Sequence, residues 1–121
     1  MDVDEEEFEA LVAEALDSLP EALGRQVDNV HLVVRDQPTR SQLDGRSGTL
    51  LGLYEGIPLT ARSPTSYSGV MPDRITIFRL PICGLARTRA ELVSLVRTTV
   101  IHEYAHHFGI DDARLDELGW A

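Results

Sequence analysis

The residues whose types and spacing can do chemistry lie in one segment, His102-Glu103-Tyr104-Ala105-His106. On a helix, four residues advance about 400° and rise about 6 Å, so His102 and His106 point the same way, one turn apart, with imidazoles able to converge on one ion. Glu103 stands about 100° around the axis from His102, which keeps it out of the first ring of ligands and near a metal-bound water. Two neutral imidazoles and one anionic ligand suit Zn2+ and leave a fourth position for water, whose pKa the ion lowers toward neutrality. In that arrangement Glu103 is the general base: it takes a proton as the water attacks a carbonyl, then delivers it to the leaving amine. The chemistry is that of a zinc metallohydrolase acting on peptide bonds.

A third protein ligand is needed. Gly109 lets the backbone turn sharply after the helix and Asp112 follows three residues later, giving His-Glu-x-x-His-x-x-Gly-x-x-Asp. Asp112 is the first choice, with Asp111, Asp116, Glu117 and His107 as competitors. His107 sits about 100° around the helix from His106, on a different face, and is expected to hydrogen-bond or to face solvent. The single cysteine, Cys83, is expected to be a packed or loop thiol and is assigned no role.

The elements that must position these residues are legible in the apolar periodicity. Thr88 and Glu91 have the spacing of a capping box, so a helix starts near Arg89. Leu92, Leu95, Val96, Thr99 and Val100 give it a buried stripe, and it should run to about Phe108, where Gly109 can adopt the left-handed cap conformation. Arg74 to Leu80 alternates as a strand, with Ile75, Ile77 and Arg79 on one side and Thr76, Phe78 and Leu80 on the other. Val30 to Val34 and Thr49 to Tyr54 read as two earlier strands, and Thr39 to Gly48 between them as an exposed loop. Arg62 to Pro72, rich in Ser, Thr, Pro and Gly, is a second and longer loop. From Val3 to Leu19 the apolar residues follow one helix face, and the acidic run Asp2 to Glu7 suits the positive end of its dipole. The plain reading of that run is a solvated helix N-terminus.

The 121 residues suffice for one hydrophobic core, so a single domain over residues 1–121 is expected, of α+β class. The formal net charge of -9, with every basic residue an arginine, argues against nucleic acid as a partner. No run is long and apolar enough for a membrane span, and the acidic start is unlike a secretory signal, so a cytoplasmic location with no membrane partner is expected. One cysteine forms no internal disulfide, so the fold does not rely on an oxidising compartment.

The segment HEYAHHFGIDD is similar to the extended zinc signature of metzincin-like peptidases, with Asp in place of the usual last His. It resembles that of the bacterial family of minimal zincin-like metallopeptidases, which carries this Asp variant. The resemblance implies His102, His106 and Asp112 as zinc ligands and Glu103 as catalytic base. It also implies an N-terminal helix, a small mixed sheet of three to four strands and an active-site helix near the C-terminus, with a peptide or protein as substrate. Unlike full metzincins, the chain has both methionines, Met1 and Met71, before the third-ligand position, so no methionine turn beneath the metal is expected. The short stretch after Asp112 leads to the expectation of an open cleft without a lower lobe.

Two other readings stand beside the peptidase: a metal-bound but catalytically idle binding or regulatory module, and a hydrolase of RNA. Small rRNA-maturation endoribonucleases also use a His-x-x-x-His helix, but they lack the glutamate after the first His, and the acidic charge opposes an RNA substrate. By the zincin analogy an edge strand, Thr49 to Tyr54, is expected to pair antiparallel with an extended peptide. Tyr104 and Trp120 are candidates for the cleft wall, with core packing as the plainer reading.

Overall fold

The structure is a computed structural model that describes residues 1–19, 30–44, 49–56, 73–107, 109–110, 113–114 and 117. Asp111, Asp112, Asp116, Trp120 and the sequence-predicted loop over 62–72 lie outside the described residues.

The chain opens with helix α1, Glu5–Asp17. The Asp4 side chain accepts from the Glu7 N–H at 2.8 Å, and Glu5, Glu6 and Glu7 occupy the first turn, so the acidic run is the capped and dipole-matched start of a helix. Phe8, Leu11, Val12 and Ala15 form its buried face.

Three strands form one mixed sheet in the order β1-β3-β2: β1 is Val30–Arg35, β2 is Gly52–Glu55 and β3 is Asp73–Phe78. β3 lies in the centre, parallel to β1 with Val30 opposite Asp73, and antiparallel to β2 with Tyr54 opposite Ile75. The alternation expected for the third strand holds in direction, but Ile75, Thr76, Ile77 and Phe78 are all buried, because a central strand is covered on both faces.

Two short helices differ from the sequence reading. The expected loop from Thr39 contains α2, Arg40–Leu43, held by a complete capping box between Thr39 and Gln42. The expected strand over 74–80 stops at Phe78, and Arg79 and Leu80 begin helix α3, Arg79–Leu85, with no intervening loop. Pro81 falls in the first turn of α3, where a backbone N–H would have no helical partner, so it fits there as well as it would in a turn. Arg79 therefore does not share the face of Ile75 and Ile77; its guanidinium bonds the Asp36 carboxylate at 2.9 Å and the Val3 carbonyl at 2.7 Å. The hydrogen bond to Asp36 raises the Arg79 pKa further above its ordinary value. This one side chain ties the end of β1 and the residues before α1 to the start of α3.

The long helix α4 spans Arg89–His107. The Thr88 hydroxyl accepts from the Glu91 N–H at 3.1 Å, while the Glu91 carboxylate reaches back to the Arg87 N–H at 2.7 Å, one residue before the partner a capping box uses. At the far end Gly109 takes φ 77°, its N–H donates to the His106 carbonyl at 3.0 Å, and the Ile110 N–H donates to the Ala105 carbonyl at 2.9 Å. That pair of bonds is a Schellman closure, which glycine permits without steric cost. Leu92, Val96, Val100 and Tyr104 of α4 join Phe8, Leu11 and Val12 of α1 and Ile75 and Ile77 of β3 in one core, with Cys83 packed into it. Among the described residues no helix is long and apolar enough to cross a membrane.

Candidate metal centre

From Thr99 to His107 every residue of α4 is buried except His102 and His106, which are partly exposed. The helix is sunk into the molecule around most of its circumference and opens to the outside through one window, a turn tall, framed by two imidazoles. Their ring centroids lie 6.2 Å apart with an interplanar angle of 65°. Two imidazoles bound tetrahedrally through nitrogen, with a metal–nitrogen distance of about 2 Å, have centroids roughly 5 Å apart. The pair thus stands about 1 Å wider than a chelating pair. A neutral imidazole pair is also the donor type that zinc takes.

Glu103 points off this window toward the sheet and is 8% exposed. Its carboxylate oxygen lies 3.3 Å from His106 Nδ1, so the base candidate and a ligand candidate are already in contact through i,i+3 geometry. Strand β2 lies close over this face. A Cβ added to Gly52 would fall 2.8 Å from Thr99 Cγ2, 3.1 Å from Glu103 Cγ and 3.3 Å from the Thr76 carbonyl oxygen. Glycine at 52 is what lets the strand backbone come down onto the helix where Glu103 sits.

His107 is 1% exposed, and Asp73, the first residue of β3, is 0% exposed. His107 Nδ1 and Asp73 Oδ2 are 2.5 Å apart, and the Tyr54 hydroxyl donates to the same oxygen at 2.7 Å. The Tyr54 and His107 rings meet edge to face at a centroid separation of 5.8 Å. Of the two roles expected for His107, hydrogen bonding is the one found. Asp73 and Tyr54 were not singled out from sequence; the only signal was the spacing of His107 four residues after Glu103, which puts both on one face of α4.

Of the sequence-predicted site residues, His102 and His106 share this window, and Glu103 lies beneath it in contact with His106. Among the described residues no three histidine, cysteine, aspartate or glutamate side chains, these three included, form a group that could hold a metal ion. Of the competitors for third ligand, His107 is turned inward onto Asp73, and Glu117 is exposed and ion-paired with Arg114 at 2.8 Å. Tyr104 is 3% exposed and packs in the core, not on a cleft wall; burial raises its phenol pKa above the usual value.

No curated protein matches the chain. Among solved structures, a conserved hypothetical protein from Thermus thermophilus is similar over 96% of this chain and 97% of that one, with a TM-score of 0.54 and 23% identity, a likeness of fold. Residues 27–120, from just before β1 to past the His102–His106 helix, match the zincin-like metallopeptidase family. By that match, most of its length and its histidine-bearing helix included, this chain belongs to the zincin-like metallopeptidase family.

Proposed function

We propose that the protein is a zinc-dependent peptidase in which His102 and His106 hold Zn2+ together with Asp112, and Glu103 is the general base. The observation that carries this reading is the window on α4: two imidazoles a turn apart are the partly exposed side chains of an otherwise buried stretch, with the Glu103 carboxylate 3.3 Å from one of them. Zinc, when bound, supplies Lewis acidity toward water and toward the substrate carbonyl.

The residues of the chain do the rest. The Glu103 carboxylate accepts a proton from the attacking water and returns it to the amine that leaves, so one group acts first as base and then as acid. Its burial under β2 keeps bulk water from competing for that proton. His106 turns Nδ1 to the Glu103 carboxylate at 3.3 Å, the kind of contact by which a carboxylate partner orients a ligating imidazole. Among the described residues β2 is paired on one side only, and Gly52 sets it over Glu103. An extended peptide added antiparallel to β2 would pass its carbonyls across the window, with backbone pairing providing the affinity.

The test is metal content by mass spectrometry on protein purified without added metal, for the parent, His106→Ala and Asp112→Ala, followed by cleavage of a peptide library. One zinc per chain in the parent, lost in both variants, and cleavage abolished by chelator are the expected results. A site emptied by His106→Ala but full in Asp112→Ala assigns the third ligand elsewhere. A parent that takes up no offered zinc sinks the reading, and zinc uptake without cleavage of any peptide leaves a metal-bound binding module.

A further inference from the structure

Buried behind the window is a polar cluster that the proposed chemistry does not use. His107, Asp73 and Tyr54 come from three elements, α4, β3 and β2, and converge on a single carboxylate oxygen, Asp73 Oδ2. Room for that carboxylate is provided by Gly56, since a Cβ there would overlap Asp73.

The placement of the cluster is systematic. Glu103 and His107 are four residues apart on α4, about 6 Å along the helix, and Gly52 and Tyr54 are two apart on β2, about 6.7 Å along the strand. The two spacings nearly match, so the strand lies along the helix with Gly52 against Glu103 and Tyr54 against His107. His107 also occupies the last residue of α4, in the turn that the Gly109 and Ile110 backbone bonds close. Among the described residues, the buried side chains of that turn beyond Tyr104 are Ala105 and His107, and His107 reaches across to a polar partner on the sheet.

A buried acid–base pair is a weak device for stability, because apolar side chains of similar volume often do as well or better. What such a pair provides is direction, since a hydrogen bond has a preferred line and a methyl contact has none. We infer that His107, gripped by Asp73, is a positioning residue for the metal centre: the pair sets the rotation of the last turn of α4 and thereby the direction of the neighbouring His106 imidazole. The inference rests on the reading of His102 and His106 as metal ligands. The same cluster joins β2 to that turn through Tyr54, so the strand proposed to take substrate and the helix that holds the metal are registered on one carboxylate.

The experiment compares zinc affinity, by competition with a chromophoric chelator, and the visible absorption spectrum of the Co2+-loaded protein. The proteins are the parent, the double variant Asp73→Asn/His107→Leu, and His107→Asn, whose amide nitrogen stands near the place of Nδ1. The double variant leaves no unpaired buried charge; it is expected to keep the parent's far-ultraviolet circular dichroism while binding zinc about tenfold or more weakly, with an altered cobalt spectrum. His107→Asn is expected to recover most of the affinity and the parent spectrum. Parent-like affinity and spectrum in the double variant, or no recovery in His107→Asn, overturns the inference while leaving the proposed function standing. If the double variant does not fold, Asp73→Asn alone decides: affinity loss of about tenfold supports the positioning role and unchanged affinity overturns it. A parent that binds neither ion removes the proposed function and this inference together.

Discussion

Glu103 and His106 show how much one position on a helix decides. Both lie in the same turn, yet His106 looks out of the window with 40% of its side chain exposed, while the Glu103 side chain is 11% exposed beneath β2. Glu103→Gln keeps the size and burial of the side chain and removes its ability to accept the proton. It is expected to bind one zinc as the parent does and to cleave peptide about 100- to 10,000-fold more slowly, read as kcat on any substrate the parent cleaves. Loss of zinc together with activity would show that Glu103 supports the metal instead of the proton transfer. Tyr104, next in sequence, belongs to the core, and burial raises its phenol pKa. Below about pH 10 the phenol is neutral folded and unfolded, and its contribution to stability is fully present and independent of pH. As pH rises past that value the unfolded chain ionises first, so the contribution to stability is lost. Urea denaturation from pH 8 to 11 is expected to show a steeper alkaline fall for the parent than for Tyr104→Phe, and parallel curves would refute the assignment.

At the scale of elements, the contact that most constrains the site is that of β2 on α4. It is narrow because Gly52 has no side chain, and the methyl of Thr99 is the nearest obstacle. Gly52→Ala must push the strand off the helix or distort it, with an expected cost of about 1–3 kcal/mol in urea unfolding. Thr99→Ser removes the Cγ2 methyl that the new Cβ would strike, so Gly52→Ala/Thr99→Ser is expected to be more stable than the sum of the two single changes predicts. Additivity in that double-mutant cycle would mean that the Thr76 carbonyl, not Thr99, sets the approach. The long helix was readable from its apolar period, and the strand, expected over Thr49 to Tyr54 and found at Gly52–Glu55, from the turn residues that close it; their closeness was not, since a lone glycine in a strand pattern has several meanings.

For the whole molecule, the metal is expected to act as a stabilising ligand, because its ligands are assembled only in the folded chain. Free zinc at about 100 times its dissociation constant adds about 2.7 kcal/mol, or roughly 10 °C in Tm for a chain of this size. Thermal unfolding with and without zinc should show that rise in the parent and none in His106→Ala. An equal rise in both would place the stabilising ion elsewhere.

The helix that bears His102, Glu103 and His106, and most of the element order, were legible in the amino-acid sequence. The four-residue spacing of His102 and His106 is a property of any helix, the apolar stripe of Leu92, Val96 and Val100 marks that helix, and Gly109 marks its end. Short-range rules suffice for these because helix geometry and capping involve residues only a few positions apart. The helix α3 escaped because Pro81 reads as a breaker until its place in a first turn is known. That Asp73, Tyr54 and His107 share one carboxylate oxygen, and that Gly52 lies over Glu103, emerges from the folded chain alone. Those partners are separated by 19 to 53 residues of chain, and no periodicity carries information across such gaps. They meet because β3 occupies the centre of the sheet, and that strand order follows from burying the faces of α1, α4 and the sheet together in one core.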